Sequence, residues 1–136
     1  MNQSAEPLAQ MFVGYIEAAL WSSSDGDGMP LDEMYGVEDF AVATLESLRE
    51  AVAEFYVANQ DNLVLYLSSN KEIEIRGPHR EWQYAGHDLW LTGNHHGAGF
   101  WDRRGVSKAV GDALTKAAHE LGGVDLYVGD DGKIYF

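Results

Sequence analysis

The chain has no cysteine. That removes disulfides, thiolate nucleophiles and thiolate metal sites together, and it suits a reducing cytoplasm. No apolar run approaches the ~20 residues of a membrane span. No basic segment precedes the apolar residues 8–20, and Glu17 interrupts them, so no signal peptide is expected. Cations are scarce: nine Lys and Arg face 22 Asp and Glu, for a net charge of −13. Phosphate contacts need clustered Lys and Arg, so direct nucleic-acid binding is disfavoured. Gly97-Ala98-Gly99 lacks the third glycine and the following Lys and Ser/Thr of a phosphate loop. A G-x-S-x-G nucleophile elbow is missing, and Ser22, Ser23 and Ser24 follow no strand. Residues 1–136 read as one acidic domain, long enough to bury a core without staples.

The acidity is lopsided. Residues 1–70 carry twelve acids and one base, Arg49, whereas residues 71–136 carry ten acids and eight bases. Charge of one sign at that density repels itself and lowers stability. It serves solubility, or it meets a partner with a basic groove.

Periodicity places the helices. Leu8, Met11, Phe12, Tyr15, Ile16, Ala19 and Leu20 recur at helical spacing, predicting a helix over 5–21 with Ser4 as N-cap and Trp21 seated in the core. Residues 22–36 read as a loop. Asp25-Gly26-Asp27-Gly28 looks like half a calcium site, but position twelve counted from Asp25 is Gly36 rather than glutamate. Residues 40–59 give the clearest helix, with Leu45, Leu48, Val52 and Phe55 as its seam and Asp39 near its positive end. Glu46, Glu50 and Glu54 stack along it without a base among them, which costs about 0.2–0.5 kcal/mol per pair. At 1.5 Å per residue these carboxylates lie ~6 Å apart, comparable to neighbouring phosphates on a nucleic-acid strand. Residues 61–69 form either a helix packed back on the last one, possible with Asp61 as cap, or a buried strand. Residues 71–84 form a polar connector, with Ile73 and Ile75 alternating as in a short edge strand and Gly77-Pro78 ending it. Its Lys71, Arg76, His79 and Arg80 pair with acids of the same chain.

Residues 86–103, GHDLWLTGNHHGAGFWDR, are the most distinctive stretch. His87, Leu89 and Leu91 alternate with Asp88, Trp90 and Thr92, and 93–97 can reverse the chain, so the expectation is a β-hairpin returning through 98–101. Ser107 caps a helix over 107–121, in which Gly111 implies close packing and Gly122-Gly123 is the stop. Residues 124–136 form a second hairpin about Asp130-Asp131-Gly132. The expected architecture is α+β: N-terminal helices on an antiparallel sheet of about four strands.

His87, His95, His96, Asp88 and Asp102 are of the types that hold metals or move protons. Adjacent His95 and His96 point apart on extended backbone, however, and the H-x-x-x-H spacing of helical zinc sites is absent. Trp90, Trp101, Tyr84 and Arg103 are of the types that anchor protein interfaces.

The motifs at 86–103 and 124–136 resemble those of a family of small proteins from phages and bacterial mobile elements. There G-H-D-F-W-L-T-R-N-x-H-G-A-G-F-W-D-R is followed by a helix and then D-L-Y-V-G-D-D-G. Leu89 replaces the usual phenylalanine and Gly93 the usual arginine. The resemblance implies a phage context and host-directed roles but no activity. In charge and size alone the chain is similar to DNA mimics that inhibit CRISPR or restriction complexes. The expectation is therefore a non-catalytic cytoplasmic inhibitor without metal or cofactor, binding a basic groove of a host defence complex. Its contacts would be Asp25, Asp27, Asp32, Glu33, Glu38, Asp39, Glu46, Glu50 and Glu54. The alternatives are a metal-dependent or acid–base enzyme built on the histidines, and an accessory protein that binds another protein through its aromatics.

Overall fold

The computed structural model describes residues 5–76 and 80–136. Among them the helices are α1 (Ala5–Ser22), α2 (Val42–Ala58), α3 (Gln60–Ser69), α4 (Lys71–Arg76), α5 (Glu81–Gly93) and α6 (Lys108–Leu121). An antiparallel ribbon of β1 (Tyr127–Val128) and β2 (Ile134–Tyr135) follows. Two strands, rather than about four, make up the sheet of this α+β-like arrangement. None of the described helices is long and apolar enough to cross a membrane.

The largest departure from expectation is at residues 86–103, whose first half is helix α5 and not a strand. Ala85, Gly86 and every residue from Asp88 to Gly93 are buried. A helix buried on almost every side has no polar face, so its 3.6-residue period vanishes. The alternation of His87, Leu89 and Leu91 is then the only period left to read. Gly86 marks a helix contact instead of a turn. Gly86 on α5 faces α1, where an added Cβ would lie 2.8 Å from the Tyr15 backbone nitrogen and run into the Met11 carbonyl. Gly14 on α1 is the counterpart, where a Cβ would lie 2.5 Å from the carbonyl carbon of Gln83. The two helices thus meet backbone to backbone at these glycines.

The other elements close around this pair. Trp90 packs edge-on against Tyr15 at 5.3 Å, and its indole N–H donates to Ser22 Oγ at 2.6 Å. Trp90 occupies the place expected for Trp21, which is 57% exposed. Phe100, fully buried in the loop after α5, stacks on Phe55 of α2 and meets Tyr66 of α3 edge-on, at 5.9 and 5.1 Å. Aromatic contacts of this geometry add about 0.5–1.5 kcal/mol each beyond the area they bury.

Residues 60–69 are helical, the first of the two readings. Residues 71–76 form helix and not an edge strand: Asn70 Oδ1 accepts the Glu72 N–H at 2.9 Å, starting a short turn that buries Ile73 and leaves Ile75 exposed. Residues 77–79, with the expected break and His79, lie outside the described residues, as does Ser4. Helix α2 begins at Val42, later than expected, because Asp39 belongs to a preceding 3-10 turn and accepts the Gly36 N–H at 2.8 Å. Helix α6 matches expectation: Ser107 Oγ accepts the Val110 N–H at 3.2 Å, and Gly122 with φ 85° ends it. A Cβ on Gly111 would sit 3.2 Å from the Phe100 carbonyl oxygen, the close packing its presence implies. The final hairpin forms with Tyr127 opposite Tyr135 and Val128 opposite Ile134. Ile134 also bridges Phe40, and its carbonyl accepts the Ala41 N–H at 3.0 Å.

Substituting Gly86→Ala should cost ~3 kcal/mol or more, the upper end for overpacking, because the added methyl meets backbone that cannot yield. Gly26→Ala, with nothing within 4 Å, should stay within about 0.5 kcal/mol of the parent. Urea unfolding of both variants measures the difference; equal stabilities would refute the close helix contact.

Candidate functional site

Two regions gather the chemistry. The first is the acidic leading half. Helix α2 buries Thr44, Leu48, Val52, Phe55 and Tyr56, which turns Glu46, Glu50 and Glu54 outward, all three exposed. Its one base, Arg49, lies over the Phe12 ring at 4.5 Å. Asp27, Asp32, Glu33 and Glu38 are exposed as well, while Asp25 and Asp39 are half-buried. Those two serve local structure: Asp25 Oδ1 accepts the backbone N–H of Asp27 and Met29 at 2.8 and 3.0 Å, and Asp39 holds Gly36. Among the described residues none of these nine carboxylates is in an ion pair; the pairs present are Arg80–Glu17, Arg103–Asp88, Arg104–Glu72 and Lys108–Asp112.

The histidines and aspartates on which the alternative enzyme would be built are not gathered. His87 lies on α5 beside Trp21, with ring centroids 5.9 Å apart. His95 has φ 57° and stacks on His119 of α6 at 4.3 Å. His96 and Asp102 are exposed, and His96 lines a crevice with Ser22, Trp90 and Leu126. Among the described residues no three His, Cys, Asp or Glu side chains converge as metal ligands. Of the four interface-type residues, Trp90 is core, whereas Trp101 is 50% exposed.

The second region centres on Asp88, which is fully buried in the middle of α5. Burying a lone carboxylate is prohibitive, so it needs partners. Arg103 supplies a fork: Nε donates to Oδ2 at 2.9 Å and Nη2 to Oδ1 at 2.5 Å. The Tyr66 hydroxyl donates a third, short bond to Oδ2. Burial, then the charge and hydrogen bond of Asp88, push the Tyr66 phenol well above its usual range. Burial works against the Arg103 charge, but its hydrogen bond and attraction to Asp88 prevail and hold the guanidinium above its usual value. Arg103 also lies over the Tyr84 ring at 5.3 Å. Sequence reasoning missed this triad. Its one available signal was a single aspartate inside an otherwise uncharged run, which in a buried helix requires a cation elsewhere.

Arg103 is also part of the wall of an open cleft of about 410 Å³, lined further by Glu17, Arg80, Gln83, Tyr84, His87, Leu91 and Ala98. Arg80 pairs with Glu17 at 2.9 Å and donates from Nε to Gln83 at 2.7 Å, the internal pairing expected of it. Burial pulls the His87 imidazole below its ordinary 6.5, with the charge of Asp88 opposing.

Asp88→Asn should cost about 3–5 kcal/mol, because it strands a largely buried guanidinium, whereas Tyr66→Phe should cost ~1–2 kcal/mol. For His87, the folded value lies below the unfolded one, so the unfolded chain binds more protons and stability falls as pH drops below about 6.5. Urea midpoints between pH 5 and 7.5 should show this fall in the parent, and less of it in His87→Gln. An identical pH profile in both would exclude His87 as its source.

No protein family, curated protein or solved structure matches the chain.

Proposed function

We propose that the chain is a non-catalytic inhibitor of the kind carried by phages and mobile elements, acting in the bacterial cytoplasm. It binds the basic nucleic-acid groove of a host defence complex, a CRISPR effector or restriction enzyme, and blocks DNA access. The observation that carries this reading is the outward row of Glu46, Glu50 and Glu54, unpaired within the described residues and bordered in sequence by exposed Asp27, Asp32, Glu33 and Glu38. A chain that leaves these carboxylates unmatched keeps their field available to a partner's arginines and lysines. Association driven this way is fast and weakens with salt.

One observation favours a second reading, an accessory protein that binds another protein through aromatics. Trp101 stands half out of the surface beside Arg103 and Arg104, and tryptophan and arginine dominate interface energetics.

Capture of partners from bacterial lysate on the immobilised protein, at low and high salt, separates the two. The triple variant Glu46→Lys, Glu50→Lys, Glu54→Lys should lose its partner while keeping the parent's circular dichroism. The parent's binding should also fall steeply with salt. Undiminished capture by the triple variant would exclude the acidic surface, and loss in Trp101→Ala with little salt dependence would establish the aromatic one.

A further inference from the structure

We propose that the cleft between α1, α5 and the loop carrying Arg103 binds a small organic oxyanion, a carboxylate or phosphate monoester with a flat apolar body. This is independent of the acidic surface and uses none of its residues.

The cleft is built from three separate parts of the chain. Helix α1 supplies Glu17; α5 and the residue before it supply Arg80, Gln83, Tyr84, His87 and Leu91; the following loop supplies Ala98 and Arg103. In a protein with so few cations, two guanidinium groups share this one depression. Arg103 is not there by chance of surface placement. Asp88 takes its Nε and Nη2, which fixes the plane of the guanidinium, and among the described residues Nη1 makes a long 3.4 Å bond to the Asp102 carbonyl. A buried ion pair seldom adds net stability over apolar packing. Holding a rigid donor at a cleft wall is a use that repays its desolvation.

The rest of the lining suits the same ligand. Arg80 is more than half exposed and held by Glu17 in a surface pair that contributes little, so an incoming oxyanion can displace the carboxylate. Guanidinium groups match carboxylate and phosphate oxygens in planar geometry. His87, half-buried and favouring its neutral form, offers one further donor or acceptor. Tyr84, Leu91 and Ala98 provide the apolar wall for a flat body. The volume of about 410 Å³ exceeds what a bare inorganic ion fills and leaves room for an aromatic body beside the oxyanion.

Benzoate, phenyl phosphate and inorganic phosphate, each titrated into isotopically labelled protein by NMR, test this. Saturable one-site shifts at the His87 ring and the Arg103 Nε–H are expected with benzoate or phenyl phosphate in the low-millimolar range. Whichever of the two binds tighter identifies the oxyanion. Arg80→Gln, which removes no hydrogen bond of the buried triad and is expected to fold, should weaken that binding about tenfold, while Lys116→Gln on α6 should leave it unchanged. Non-saturating shifts with both aromatic acids, saturation by inorganic phosphate alone, or equal affinity in Arg80→Gln would overturn the proposal.

Discussion

The contact on which the rest of the molecule depends is the crossing of α1 and α5, where Gly14 and Gly86 let two backbones touch. That closeness sets everything packed outside it. It brings Tyr15 against Trp90, and it places Asp88 too deep for water to reach. Once Asp88 is dry it must find a fork of donors, and Arg103 is drawn inward from the following loop. The same loop then carries Phe100 between α2 and α3. A carboxylate chosen by burial therefore organises a loop, and the loop organises the outer helices. Backbone-to-backbone packing tolerates no compensation by side-chain rotation, so the chain of consequences has a rigid origin.

Two surfaces with opposite character result. One is the outer face of α2 and the segment before it, where, among the described residues, the carboxylates stand outside any ion pair. The other is the cleft beside α5, where arginines are held in place by internal acids. The first is suited to long-range attraction, which needs charge and little shape. The second is suited to short-range recognition, which needs shape and a fixed donor. Neither requires the other, and one chain can carry both.

Much of this was legible in the sequence where a helix has one wet face. The seams of α1, α2 and α6, the Ser107 cap and the final turn all follow from patterns of apolar, polar and turn-forming residues. Residues 81–93 were illegible for the opposite reason. With burial on nearly all sides, period carries no information, and glycine has two physical meanings that look alike in one dimension: a turn or a close approach. The outward direction of Glu46, Glu50 and Glu54 could be read from their spacing against Leu48, Val52 and Phe55. The Asp88–Arg103–Tyr66 triad could not, since its members come from three elements and share no spacing rule. The five histidine and aspartate candidates were singled out by chemical type, and type alone does not bring side chains together.

Ile134 has a further consequence. Fully buried, it ties the last ribbon to Phe40 and Ala41, just ahead of α2. Pairings between such distant parts of a chain form slowly, because a large loop must close before the contact is made. The contact lets the last ribbon hold the segment that leads into α2, the helix that carries Glu46, Glu50 and Glu54.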